Sequence, residues 1–211
     1  MKKLAQLFIL LAAVILLAGE KTMYVCKYCG EEFSSASGAR VGYCTYSESH
    51  RHTAISVSGG TYVCEHCGEK FSSPSGVRTG YCTYSKNHKH TLAGSSGDGN
   101  YVCRYCGEKF SSPSGVRTGY CTYSADHKHQ LAGQAEEKQS CYCQCCGEKF
   151  SSPSGVRTGY CTYSENHKHI LSSVTEGNFF CQYCGEKFSS ASGVRTGYCT
   201  KNEKTHKHRL P

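Results

Sequence analysis

The chain has 211 residues, with 17 Cys, 11 His, no Trp and a formal net charge of +8. A hydrophobic fraction of 38%, with Cys and Tyr forming much of it, argues against one large core and for several very small units, each held by a metal or a cross-link. The positive charge is spread along the chain, so it permits contact with anionic surfaces or nucleic acid without requiring it.

The chain opens MKKLAQLFILLAAVILLAGEKT, with Lys2 and Lys3 ahead of an apolar run from Leu4 to Gly19 that only Gln6 interrupts. Two positive charges before such a run describe a secretory signal peptide, bacterial in style. The run is short of the roughly 20 residues that cross a membrane. Leu16 and Leu17 stand where a cleavage site prefers small residues, so an uncleaved N-terminal anchor is the alternative. Residues 1–19 are read as one or the other, and the protein as secreted, periplasmic or membrane-tethered.

Five copies of one unit follow, starting at Cys26, Cys64, Cys103, Cys143 and Cys181, a period of 38 to 40 residues. The stretch CGEKFSSPSGVRTGYCTYS is identical in units two, three and four, starting at Cys67, Cys106 and Cys146. Unit one reads CGEEFSSASGARVGYCTYS, and unit five ends CTKNEKTHKH. The modules are bounded at 23–54, 61–92, 100–131, 140–171 and 178–210. The intervening Gly-, Ser-, Ala- and Glu-containing segments read as flexible linkers, which makes the chain beads on a string with no shared core.

Within unit two, YVCEHCGEKF predicts two short strands around a metal knuckle, with Gly68 supplying the tight turn. SSPSGVRTG predicts a weak helical turn, with Ser72 or Ser73 as N-cap, Pro74 at the first helical position and Gly80 at its end. His88, His90 and Leu92 alternate as in a last short strand. Phe71, Val77, Tyr81 and Leu92 are the expected miniature core. The fold class is therefore small metal-stabilised α+β modules, five tandem ββα-like zinc knuckles joined by flexible linkers after an N-terminal hydrophobic segment.

Each unit offers three Cys and two His at C-x2-C-x14-C-x5-H-x-H spacing, with one extra residue before the first His of unit five. The candidate ligands are Cys26, Cys29, Cys44, His50 and His52 in unit one, and Cys64, Cys67, Cys82, His88 and His90 in unit two. Unit three offers Cys103, Cys106, Cys121, His127 and His129, and unit four Cys143, Cys146, Cys161, His167 and His169. Unit five offers Cys181, Cys184, Cys199, His206 and His208. A tetrahedral zinc site takes four such ligands, so five zinc ions are expected, one per module. The second His is favoured, because the Leu or Ala two residues beyond it can anchor it in the core. The competing reading is a disulfide array, which export would favour; three Cys per unit and the fixed His pairs argue against it. Cys141, Cys145 and His66 stand outside the pattern, and a surface position is expected for them.

The stretch YVCEHCGEKFSSPSGV resembles the first half of a Cys2His2 zinc finger. The resemblance implies Cys64 and Cys67 as ligands and Phe71 and Val77 as core. It ends at Val77, because Gly80 stands where the family's first His would fall. In that family a varied helix reads DNA; here the corresponding turn is short and almost unvaried. No nucleophile triad or phosphate loop is visible, so the protein is read as a non-enzyme that binds a protein or other surface partner through repeated, identical modules. Zinc buffering or delivery in the cell envelope is one alternative, and nucleic-acid binding is another.

Overall fold

The computed structural model describes residues 23–57, 61–94, 100–135, 140–174 and 176–211. The N-terminal apolar segment, with its reading as a signal peptide or anchor, lies outside them, as do residues 58–60, 95–99, 136–139 and 175.

Each module grows from its knuckle. In module 2, Tyr62–Val63 pairs antiparallel with Lys70–Phe71, Tyr62 opposite Phe71. Between the strands the Gly68 N–H donates to the Cys64 carbonyl at 2.9 Å, and the Cys64 N–H to the Glu69 carbonyl at 2.8 Å. Gly68 turns the chain at φ +69°, a conformation that costs glycine nothing. The helical turn follows as a 3-10 helix, Pro74–Arg78. Five residues with Pro at the start and Gly76 in the middle are too few and too poor to propagate an α-helix. Ser73 is the N-cap residue, but its hydroxyl caps nothing and pairs with Ser75 Oγ instead, at 3.1 Å. The predicted last strand is longest in modules 1 and 3, as Ala54–Val57 and Leu131–Ala135. In modules 2 and 4 it shrinks to single bridges, Cys64 to Leu92 and Cys143 to Leu171.

The modules are not independent beads. The backbone N–H of Leu92 donates to the Lys27 carbonyl of module 1 at 2.9 Å, and the same bond recurs as Leu131 to Glu65, Leu171 to Arg104 and Leu210 to Gln144. It recurs once more from Ala54 of module 1 to Gln182 of module 5, at 2.8 Å. Five equivalent seams therefore join five modules into a closed ring. Each seam carries a second bond, from an arginine at the end of one 3-10 turn to the carbonyl of the preceding module's second knuckle cysteine. Arg78 Nε reaches Cys29 at 2.7 Å and Arg195 reaches Cys146 at 2.6 Å. Arg117 and Arg157 do the same with Cys67 and Cys106, and Arg40 closes the ring on Cys184.

The apolar core lies largely in these seams. Val25 of module 1 packs with Val77 and Leu92 of module 2, Val63 with Val116 and Leu131, Ala132 with Val156 and Leu171, and Tyr142 with Ala191, Val194 and Leu210. At the closing seam Phe180 packs with Ala36, Ala39 and Ala54. The expected core of module 2 is thus right but for one residue, with Phe71 half-buried against it. Val77 and Leu92 are buried, but Tyr81 is 64% exposed. One module has too little apolar surface to make a core, so each borrows the other half from its neighbour.

The two residues between the knuckle cysteines face the middle of the ring, and there the modules differ. Glu65, buried, is held between Lys27 of module 1 at 2.8 Å and Arg104 of module 3 at 3.0 Å, while Thr91 donates to its Oε1 at 2.7 Å. Burial alone would raise this carboxyl, but the two cations outweigh it and hold it at about 2. Five identical charges at these positions would repel one another; Lys, Glu and Arg in succession pair instead.

Candidate metal centres

Five groups of ligand atoms stand together, each with all its atoms within 4.8 Å of one another and every residue buried: Cys26, Cys29, Cys44 and His52; Cys64, Cys67, Cys82 and His90; Cys103, Cys106, Cys121 and His129; Cys143, Cys146, Cys161 and His169; and Cys181, Cys184, Cys199 and His208. The knuckle delivers two thiols and the loop after the 3-10 turn the third. The imidazole comes from the extended segment just before the seam, two positions ahead of Ala54, Leu92, Leu131, Leu171 or Leu210. The separations match one zinc ion. Zn–S bonds of about 2.3 Å and Zn–N bonds of about 2.0–2.1 Å put tetrahedral S···S edges near about 3.8 Å and S···N edges near about 3.6 Å. Cys26 and Cys44 lie 3.9 Å apart, and Cys181 and Cys199 3.8 Å. Nδ1 of His52 lies 3.5 Å from Cys29, and Nδ1 of His90 3.6 Å from Cys67. Sulfurs at these distances are far from bonded, and none of the 17 cysteines is in a disulfide. The groups are five Cys3His zinc sites, one per module.

In each knuckle pair one thiol is lowered and its partner raised, as Cys64 is raised beside Cys67 and Cys181 beside Cys184. A hydrogen bond from Cys64 pulls the Cys67 thiol well below its ordinary range, and Cys184 is lowered in the same way by Cys181. Thiolate is the ligand state, so a metal that takes all three cysteines displaces the protons they hold, and its binding strengthens as pH rises. The knuckle glutamate, which adjacency in sequence alone does not distinguish, recurs against the ligand histidine in every module. Oε2 of Glu31, Glu69, Glu108, Glu148 and Glu186 each lies 3.5 Å from Nε2 of the ligand histidine in its own module. A carboxylate there fixes the tautomer that leaves Nδ1 for the metal. The C-G-E sequence carried that signal, though only the fold shows which histidine it meets.

The first histidine of each pair belongs to no ligand group, which corrects the inclusion of His50, His88, His127, His167 and His206 among the ligands. All five adopt the left-handed conformation, φ between 54° and 59°, which histidine tolerates better than most residues. The turn returns the His88 carbonyl to the Cys82 N–H at 2.9 Å, so its backbone shapes the loop of the third thiol. Its imidazole is turned away and stacks on Tyr81, ring centroids 4.6 Å apart. The pair recurs as Tyr43–His50, Tyr120–His127, Tyr160–His167 and Tyr198–His206. In module 5 the loop is one residue longer, and Asn202 replaces the serine that braces it. Its amide spans the added length to the Lys207 carbonyl at 2.7 Å, where Ser85 reaches the Lys89 carbonyl at 2.8 Å.

The residues outside the pattern are not on the surface. Cys145 is 2% exposed and Cys141 8%. Cys145 occupies the axial position that tyrosine or histidine fills elsewhere, with Arg209 donating to its sulfur at 3.1 Å. His66 is half-buried and faces Glu65 at 3.5 Å. Cys145 and His66 follow from knuckle positions turning inward in a ring, and Cys141 from the strand position that Tyr24, Tyr62, Tyr101 and Phe179 hold in the other modules, which one unit alone does not reveal.

No protein-family model, curated protein or solved structure matches the chain. Its function is therefore argued from the site itself.

Proposed function

We propose that the protein is an exported, non-catalytic ring of five structural zinc modules that displays five equivalent surfaces to a multivalent partner. The observation that carries this reading is the exposed tyrosine of each stacked pair. Tyr43, Tyr81, Tyr120, Tyr160 and Tyr198 are each 63–65% exposed, in the same setting around the ring. Aromatic side chains left in water and already fixed by stacking are economical contact groups, because little side-chain freedom remains to be lost on binding. Five weak contacts held at fixed spacing add as avidity without loss to linker entropy. Export is read from Lys2, Lys3 and the apolar run after them.

The zinc sites support a structural rather than catalytic role. Four protein ligands complete a tetrahedron and keep no position for an attacking water. Burial of every ligand in a group braced by its neighbours also favours slow exchange over buffering.

The test is a protein and glycan array probed with the zinc-loaded chain and with variants carrying one, three or five Tyr→Ser changes at these positions. Retention that falls steeply with each tyrosine removed supports the reading. Retention indifferent to their number, on every surface that binds, contradicts it.

A further inference from the structure

Four of the five seams carry a cation over an aromatic ring. Arg78 lies over Tyr46 at 5.8 Å, Arg117 over Tyr84 at 5.5 Å, and Arg157 over Tyr123 and Arg195 over Tyr163 at 5.8 Å each. The tyrosine belongs to the CTYS stretch of the preceding module. In module 5 that stretch reads CTKN, and Lys201 stands where the ring would be. Arg40, the arginine of the closing seam, therefore meets a like charge instead of a π-face.

The consequence is a cavity of about 310 Å³ between modules 1 and 5, lined by Arg40, Arg51 and Lys201, with His50, Tyr43 and Tyr183 around them. No carboxylate is among its lining residues. Glu203 pairs with Arg51 from the rim, 63% exposed, which leaves Arg40, whose Nε donates to the Cys184 carbonyl, and Lys201 without a carboxylate partner among the described residues. Bringing cations together in a cleft costs free energy unless an anion joins them. Guanidinium forks suit tetrahedral oxyanions, and an ammonium adds a point charge.

We propose that the closing seam holds an oxyanion of phosphate type, bound between Arg40, Arg51 and Lys201. The seam is the one not bridged by a linker, so the anion ties the first module to the last where the other seams use an arginine–tyrosine contact.

The test is isothermal titration of the zinc-loaded chain with inorganic phosphate at fixed ionic strength, with chloride as the control. Lys201→Tyr restores the residue that the other modules carry, and Lys201→Gln removes the charge with little change of shape. Zinc content and circular dichroism check that both variants are folded. The wild type is expected to bind one phosphate saturably, with affinity about tenfold or more weaker in both variants. Absence of saturable binding, or equal binding in all three proteins, overturns the proposal. A parallel titration with glycerol phosphate separates sources. Tighter binding than inorganic phosphate points to the ester head of a larger molecule, and weaker binding to the free ion.

Discussion

The four seams between consecutive modules and the seam that closes the ring share a backbone plan but not a packing. At the seam of modules 1 and 2, Val25 meets Val77 and Leu92, residues of similar size. At the closing seam the sizes diverge. The large Phe180, fully buried, meets Ala36, Ala39 and Ala54, and Tyr24 adds an edge contact to Phe180 at 5.3 Å. The departures of module 1 from the repeat, which look like looseness in the sequence, complement a departure in module 5. Identical repeats could join in any order or with another chain; a large-against-small seam favours module 5 meeting module 1. Charge acts similarly at the axis, where Lys27, Glu65 and Arg104 mark three successive modules.

The largest expected effect removes the basis of both kinds of seam. Structural zinc contributes about 10–16 kcal/mol of apparent binding free energy per site, more than such small modules have from packing. Chelation is expected to abolish near-ultraviolet dichroism throughout the chain, with readdition of zinc restoring it. Next, Glu65→Ala acts on two linked seams at once. It leaves Lys27 and Arg104 buried without their partner, and about 3–5 kcal/mol of stability is expected to be lost in denaturant titration. Ala39→Val, by contrast, strikes only the closing seam, where overpacking against Phe180 costs about 1–3 kcal/mol. Phe180→Val in the same chain is expected to recover much of that loss, a coupling that a thermal double-mutant cycle measures. The smallest effect is at the exposed rim. Tyr81→Ser is expected to change stability by about 0.5 kcal/mol or less, because that ring touches no seam.

Much of the site was legible before the fold. Spacing identified the three cysteines, and the apolar residue beyond the second histidine chose it over the first. The first histidine was not separable by spacing, since its exclusion rests on a left-handed backbone and a stack on Tyr81. The ring was not legible because each module has too few apolar residues to show that they pack across a seam, and the backbone carbonyls and single arginines that complete the seams leave no pattern of their own. The knuckle residues Lys27, Glu65 and Arg104 looked like ordinary solvated charges until the ring turned them inward.

Small-angle X-ray scattering of the zinc-loaded chain tests the closed ring most directly. A compact chain of this length has a radius of gyration of about 17 Å. The closed ring predicts a value close to that, with a sharply bounded distance distribution. A radius well above about 25 Å, with the long tail of modules on flexible linkers, would contradict it.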